Sequence, residues 1–130
     1  MKTNHDTSED HKQAAVQFLK LVVAGTIDEA YERFVDMHGR HHNTFFAAGF
    51  LALREAMKEN HDQFPNKQLT IKNTLCDGDL VAVHSRLNFR PGDAGMVVVH
   101  LFRFKDEKIV EMWDCDQTIQ NDSPNKDGAF

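Results

Sequence analysis

The hydrophobic pattern of this chain changes period at Lys67, and no other feature of the sequence constrains the fold as strongly. Upstream, apolar residues recur at three- and four-residue spacing, which gathers them on one face of a helix. Downstream they fall on every second residue, which gathers them on one face of a strand. Helices first and strands afterwards, rather than the two in alternation, predict an α+β domain with an antiparallel meander.

The helical part divides in three. Ala15, Phe18, Leu19, Val22 and Val23 form one apolar face, with Thr7 or Ser8 placed to cap its start and Gly25 just past its end. Thr26-x-x-Glu29 fits a capping box ahead of a second helix, whose buried stripe is Ile27, Ala30, Tyr31 and Phe34. Residues 37–46 are polar and aromatic and interrupt the helical pattern. A third helix over residues 49–64 buries Phe50, Leu53, Met57 and Phe64, and Pro65 stops it. In the second part, Leu69, Ile71 and Leu75 alternate with polar residues up to the turn dipeptide Asp77-Gly78. Strands follow over residues 80–89, 96–104 and 109–118, the last two joined around Lys105-Asp106-Glu107-Lys108. The expected organisation is one domain, residues 1–120, and a polar tail, 121–130, either disordered or folded over the molecule.

Composition narrows the function class. At 130 residues, 41% hydrophobic and 27% charged, the chain is long enough to bury a core of its own. Acidic residues outnumber basic ones, 20 to 15, and the basic ones are scattered. Without a basic stripe to neutralise phosphates, nucleic acid is not an expected partner. No apolar run reaches the roughly 18 residues of a membrane span, and the N-terminus lacks the apolar stretch of a secretion signal. Cys76 and Cys115 share no metal-ligand spacing and are expected as two reduced thiols, which points to the cytoplasm.

Strand parity sorts the polar residues of the second part. His84 and Arg86 fall on one face of their strand, with Leu80, Ala82 and Asn88; His100 falls with Val98, Phe102 and Phe104. Asp114 falls with Met112 and Asp116, opposite Trp113 and Cys115. His100, within Val97-Val98-Val99-His100-Leu101-Phe102, is expected to be buried and in need of a hydrogen-bond partner. If the loop of the last hairpin contains a one-residue bulge, Asp114 stands opposite His100; without it, Trp113 does. His84 and Arg86 are expected on the same pocket-facing surface, so that several polar groups converge on an apolar concavity. His38, His41 and His42 match no zinc-site spacing and have no acidic or thiol ligand beside them, so a pocket-rim or surface role is expected and no metal.

Several of these segments carry a family resemblance. Gly78-Asp79-Leu80-Val81-Ala82-Val83-His84 resembles the central strand of the SnoaL-like branch of the nuclear transport factor 2-like superfamily. Val99-His100-Leu101-Phe102-Arg103-Phe104 and Lys108-Ile109-Val110-Glu111-Met112-Trp113-Asp114 resemble the last hairpin of that family, and His42-Asn43 resembles the stretch before its third helix. The resemblance implies three helices on a curved sheet, a cone around one pocket, and a small apolar or polyketide-like ligand. It also implies metal- and cofactor-independent acid/base chemistry: aldol cyclisation, isomerisation or dehydration next to a carbonyl. This chain departs from the pattern in having His100 where relatives carry the acid/base aspartate, and Met112 where many carry histidine.

Histidine suits the acid/base role because its ordinary pKa of about 6.5 lies near neutral pH. The expected site therefore has His100 as acid/base, Asp114 orienting its ring and Arg86 facing the enolate oxygen. His84, His42, Asn43, Phe102 and Trp113 are expected to contact the substrate. The alternative is a non-catalytic ligand-binding or dimerisation module of the same fold. Strands 80–83 and 96–99 are apolar on both faces, and helices cover only one face of an open sheet, so a homodimer through the other face is expected.

Overall fold

The computed structural model describes residues 7–130, in the order α1 (Thr7–Val23), α2 (Ile27–Phe34), β1 (Val35–His41), α3 (Phe50–Gln63), β2 (Gln68–Asp77), β3 (Leu80–Asn88), β4 (Met96–Lys105) and β5 (Lys108–Thr118). Helix α1 ends as its sequence predicts. Gly25 adopts φ +89°, and the amides of Gly25 and Thr26 donate back to the carbonyls of Val22 and Leu21, which satisfies carbonyls the helix leaves free. The capping box expected at α2 does not form: the Thr26 side chain makes no capping hydrogen bond, and only its carbonyl enters the helix, accepting from Ala30.

The five strands form one sheet in the order β1-β5-β4-β3-β2, with β2 to β5 antiparallel and β1 parallel to β5. The sheet is therefore mixed rather than purely antiparallel. Part of the stretch that interrupts the helical pattern is strand β1. Its sequence, Val-Asp-Met-His-Gly-Arg-His, lacks alternation because only its two end residues are buried. An edge strand paired on one side, through a partner some 70 residues away in sequence, leaves little local trace.

The last hairpin sets the register of the site. Asp106 and Glu107 both adopt positive φ, 50° and 69°, giving the two-residue turn whose twist matches that of the strands. The bulge lies beyond the turn rather than in it. Phe104 pairs with Ile109 and Arg103 with Glu111, so Val110 is the extra residue. That shift brings His100 opposite Asp114 and Leu101 opposite Trp113.

The bulge has a counterpart on β1, where a β-carbon on Gly39 would meet the Val110 carbonyl oxygen at 2.2 Å and the Phe50 ring at 2.9 Å. Backbone that close cannot yield as a flexible side-chain tip can. Gly39→Ala is expected to destabilise the fold by about 1–3 kcal/mol, the cost of overpacking a filled site. Thermal unfolding measures it, and an unchanged Tm would show that β1 sits further from β5.

One face of the sheet is covered by the helices: α1 packs on β2 and β3, α2 and α3 on β1. The core between them centres on Phe18, Tyr31, Phe50 and Phe102, in edge-to-face contacts with ring centroids 5.2–6.4 Å apart. Val81, Val83 and Ser85 of β3, Val98, Phe102 and Phe104 of β4, and Ile109 and Met112 of β5 point into it and are buried. This parity decides which face is inner. His100 and Asp114 share it with the core residues; Ala82, His84 and Arg86 alternate away from it.

Residues 119–130 fold back along the outer face. The Ile119 amide donates to the Gly95 carbonyl, and the Phe130 ring lies 5.2 Å from the His84 ring with the Arg86 and Lys72 cations 4.9 and 5.3 Å from its centre.

Candidate active site

Between α1, α3 and the inner face lies a cavity of about 260 Å³. Its walls are mostly apolar: Leu19, Val22 and Val23 from α1, Met57 from α3, and Leu69, Leu87, Phe89, Met96 and Val98 from the sheet side. Phe45 and Phe46, exposed in the loop after β1, stand at its mouth. Asn43, Asn60, Lys67, His100, Asp114 and Asp116 converge on it. Among the described residues four clefts are larger: about 530 and 510 Å³ between the start of α2 and the end of α3 and beneath residues 119–130, and about 280 and 270 Å³ along α1. Most of the residues lining these four are charged or polar, whereas an apolar concavity with a few placed polar groups is the form a small-molecule site takes.

On the cavity floor His100 and Asp114 are cross-strand partners. The distance suits a hydrogen bond, yet none joins them. Both Asp114 carboxylate oxygens instead accept from the Asn43 side-chain amide, each at 3.1 Å. Asn43 is itself held: its side-chain oxygen accepts from the Phe45 amide, and its own amide donates to His41 Nδ1. His41, buried at the end of β1, pairs its Nε2 with the Ala47 carbonyl at 2.8 Å, so this ring locks the loop that carries Asn43.

The His100 ring is oriented by packing. It stacks parallel to Phe102, interplanar angle 5° and centroids 5.8 Å apart, and its Nδ1 finds no hydrogen-bond partner among the described residues. Ser85, diagonally across on the same face and fully buried, also leaves its hydroxyl unpartnered. Such atoms are rare in folded proteins and call for a reason. Burial holds the His100 pKa below the ordinary histidine value, and the negative charge of Asp114 opposes that shift. Asp114 thus acts on His100 through charge. Tyr31, buried beneath, has its phenol held far above the ordinary tyrosine range by burial, with Arg54 opposing and Asp114 adding to the effect.

The remaining expected site residues lie elsewhere. Arg86 and His84 are on the outer face, where Arg86 meets Phe130 and His84 Nδ1 pairs with the Asn73 amide at 3.0 Å. The expectation that they share the pocket with His100 is corrected: parity groups residues within a strand, but pairing register decides how the groups of two strands coincide. Because Val83, not His84, pairs with His100, Arg86 cannot face the cavity. His42 and Trp113 also lie outside. Their rings stack at 5.0 Å, His42 Nε2 pairs with Glu111 at 2.7 Å, and Arg103 covers Trp113 while reaching Asp79 and Glu111. Phe102 faces inward but is fully buried in the core, so its contact is with His100 and Phe18 rather than with the cavity.

Of the residues the cavity collects, Asn60, Lys67 and Asp116 are not singled out by the sequence. Asp116 carried a signal, the parity it shares with Asp114. Lys67 and Asn60 carried none, because the end of a helix and the connection after it have no face of their own. Among the described residues no three His, Cys, Asp or Glu side chains gather as a ligand set for a metal, and Cys76 and Cys115 are not joined in a disulfide.

A family model for the SnoaL-like domain matches residues 15–112, three quarters of the chain. The chain belongs to the SnoaL-like family. The match contains His100 and Asn43 and stops just short of Asp114. Among solved structures, a SnoaL-like protein of unknown function from Burkholderia thailandensis superposes with TM-score 0.69 at 16% identity, over 84% of this chain and 97% of that one. IdmH, a proposed polyketide cyclase from Streptomyces antibioticus, gives 0.68 at 16% identity, covering 82% and 91%. AclR, a proposed hydroxylase from Streptomyces galilaeus, gives 0.71 at 17% identity, covering 85% and 90%. At such identities the likeness shows a shared SnoaL-like, nuclear transport factor 2-like fold. No curated protein matches the sequence. No helix of the described residues is long and apolar enough to cross a membrane.

Proposed function

We propose that the cavity is the active site of an enzyme performing acid/base chemistry, without metal or cofactor, on a small, largely apolar carbonyl compound. The reaction class is aldol cyclisation, isomerisation or dehydration. The observation that carries this reading is the His100–Asp114 pair on the floor of an apolar cavity, with an imidazole that burial keeps neutral. A neutral imidazole accepts a proton from the carbon next to a carbonyl, and the electron pair of that C–H bond moves onto the carbonyl oxygen as an enolate. The imidazolium so formed is stabilised by the Asp114 carboxylate, which Asn43 holds in place. The enolate then attacks a second carbonyl, expels a leaving group or regains a proton at another carbon, with His100 returning the proton.

Support from relatives lies in the cyclase proposed for IdmH, which shares the fold. The test is deuterium uptake next to the carbonyl of small ketones in heavy water, followed by NMR. Catalysed exchange lost in His100→Ala supports the reading; equal exchange by the variant overturns it.

The outer face supports a second copy of this chain as partner. Leu75, Ala82, Leu101 and Trp113 form one cross-strand row there, and Leu75 is 65% exposed. Burying such a row between two copies removes apolar surface from water. Light scattering is expected to give the mass of two chains at micromolar concentration and of one for Leu75→Asp. A monomeric wild type would remove the dimer.

A further inference from the structure

The enolate chemistry leaves one charged group of the cavity unused. Lys67, in the connection between α3 and β2, is half-buried and lines the cavity. Its ammonium donates to the Asn60 side-chain oxygen, a neutral acceptor, and no carboxylate stands within ion-pair distance of it among the described residues. Burial lowers its pKa, so the protein surroundings disfavour the charge without supplying a counter-charge. A lysine with a free course to solvent would keep its head in water; this one is turned to the cavity and tethered there by an amide that cannot neutralise it.

Its place along the sheet says which part of a ligand it meets. Gln68, next in sequence, pairs with Asn88, whereas His100 pairs with Val83. Five residues of β3 separate those positions, about 16 Å of strand at roughly 3.3 Å per residue. The ammonium therefore stands toward the opposite end of the cavity from the acid/base pair, with Leu69, Leu87 and Met96 lining the space between. A group bound there is remote from the reacting carbon, which rules Lys67 out as the partner of the enolate oxygen and makes it a recognition group. Asp114 and Asp116 occupy the floor near His100, so an anionic ligand group is repelled from that end and drawn to Lys67.

We infer that Lys67, positioned by Asn60, is an anion-recognition subsite, and that the substrate is a small organic acid with its carboxylate at one end, an apolar body, and the reacting carbonyl at the other. The size agrees: 260 Å³ lies just below the roughly 300–1,000 Å³ of cavities that hold drug-sized ligands. The assignment of the two ends rests on the acid/base reading of His100, but recognition of the acid does not require turnover.

The test is calorimetric titration with 4-phenylbutyrate and its neutral amide, 4-phenylbutyramide, against four forms of the protein. Wild type is expected to bind the acid more tightly than the amide. Lys67→Met keeps the stem and removes the charge; it is expected to weaken the acid about tenfold, as loss of one charge-assisted hydrogen bond does, and to leave the amide unchanged. Lys67→Arg is expected to retain the preference for the acid, which a purely structural tether to Asn60 does not predict. Equal affinity of wild type for acid and amide, no binding of either, or an undiminished acid preference in Lys67→Met overturns the subsite. His100→Ala separates the two readings. A variant that exchanges deuterium normally yet prefers the acid removes the catalytic assignment alone; loss of exchange in a protein with no acid preference removes the subsite alone.

Discussion

His100→Ala is expected to lower kcat/KM for proton abstraction by about 10²–10⁴-fold, the range a positioned general base contributes, while the protein remains folded. The pH dependence makes this specific. The active form of His100 is the neutral imidazole, and burial places its folded pKa below the ordinary value of 6.5. Activity should therefore persist as pH falls through the usual histidine range and decline only at lower pH. In Asp114→Asn the carboxylate that favours the imidazolium is gone, so the acidic limb of the kcat/KM profile moves to still lower pH. A limb at the ordinary histidine value, or one that moves upward in Asp114→Asn, would contradict the assignment.

The same shift links to stability with a definite sign. Above about pH 6.5 His100 is neutral in folded and unfolded chains and contributes no pH dependence. Below it the unfolded chain takes up the proton first, so stability falls as pH drops toward the depressed folded pKa. His100→Gln should lack that part of the acid loss, visible as a smaller drop in Tm between neutral and mildly acidic buffer than wild type shows.

Phe102→Ala is expected to cost about 3–5 kcal/mol, a large share of the stability of a domain this size. The ring has no exposed surface, contacts Phe18 edge-on at 5.7 Å and supports the His100 ring face-on. Its removal leaves a void between α1 and the sheet that rigid neighbours fill only in part. That loss corresponds to a fall in Tm on the order of 10–20 °C. Any effect on catalysis should fall on kcat through the loosened imidazole, with KM little changed, because Phe102 does not line the cavity. A Tm within a few degrees of wild type would mean the core collapses around the gap.

The contrast between Phe102 and Arg86 shows what kind of information each residue carried before folding. Phe102 and His100 lie two apart on one strand, so their common parity is readable in the sequence, whereas Asp114 shares their face only through the bulge in the last hairpin. The bulge falls at Val110, where no turn rule places it, because β1 approaches through Gly39 and the register adapts there. Polar residues on a strand face look alike whichever way that face points, so sequence alone groups Arg86 and His84 with the site. The three buried residues Val81, Val83 and Ser85 fix the direction, and their burial comes from α1, not from anything local to β3. Asn43 was legible as a residue of interest, but its work, holding both oxygens of Asp114 across 71 positions of sequence, was not.

Periodicity, turn chemistry and the order of elements were enough to establish the α+β class, the three helices and the four antiparallel strands, because each depends on side chains close in sequence; whether Asp114 or Trp113 stands opposite His100 was decided by the bulge at Val110. The parallel strand β1, the outward turn of Arg86 and His84, the packing of residues 119–130 on the outer face, and the arrival of Lys67 and Asn60 at the cavity required the whole chain. Each is set by contacts between segments far apart in sequence, and such contacts are selected by the burial of the assembled core rather than by any local preference.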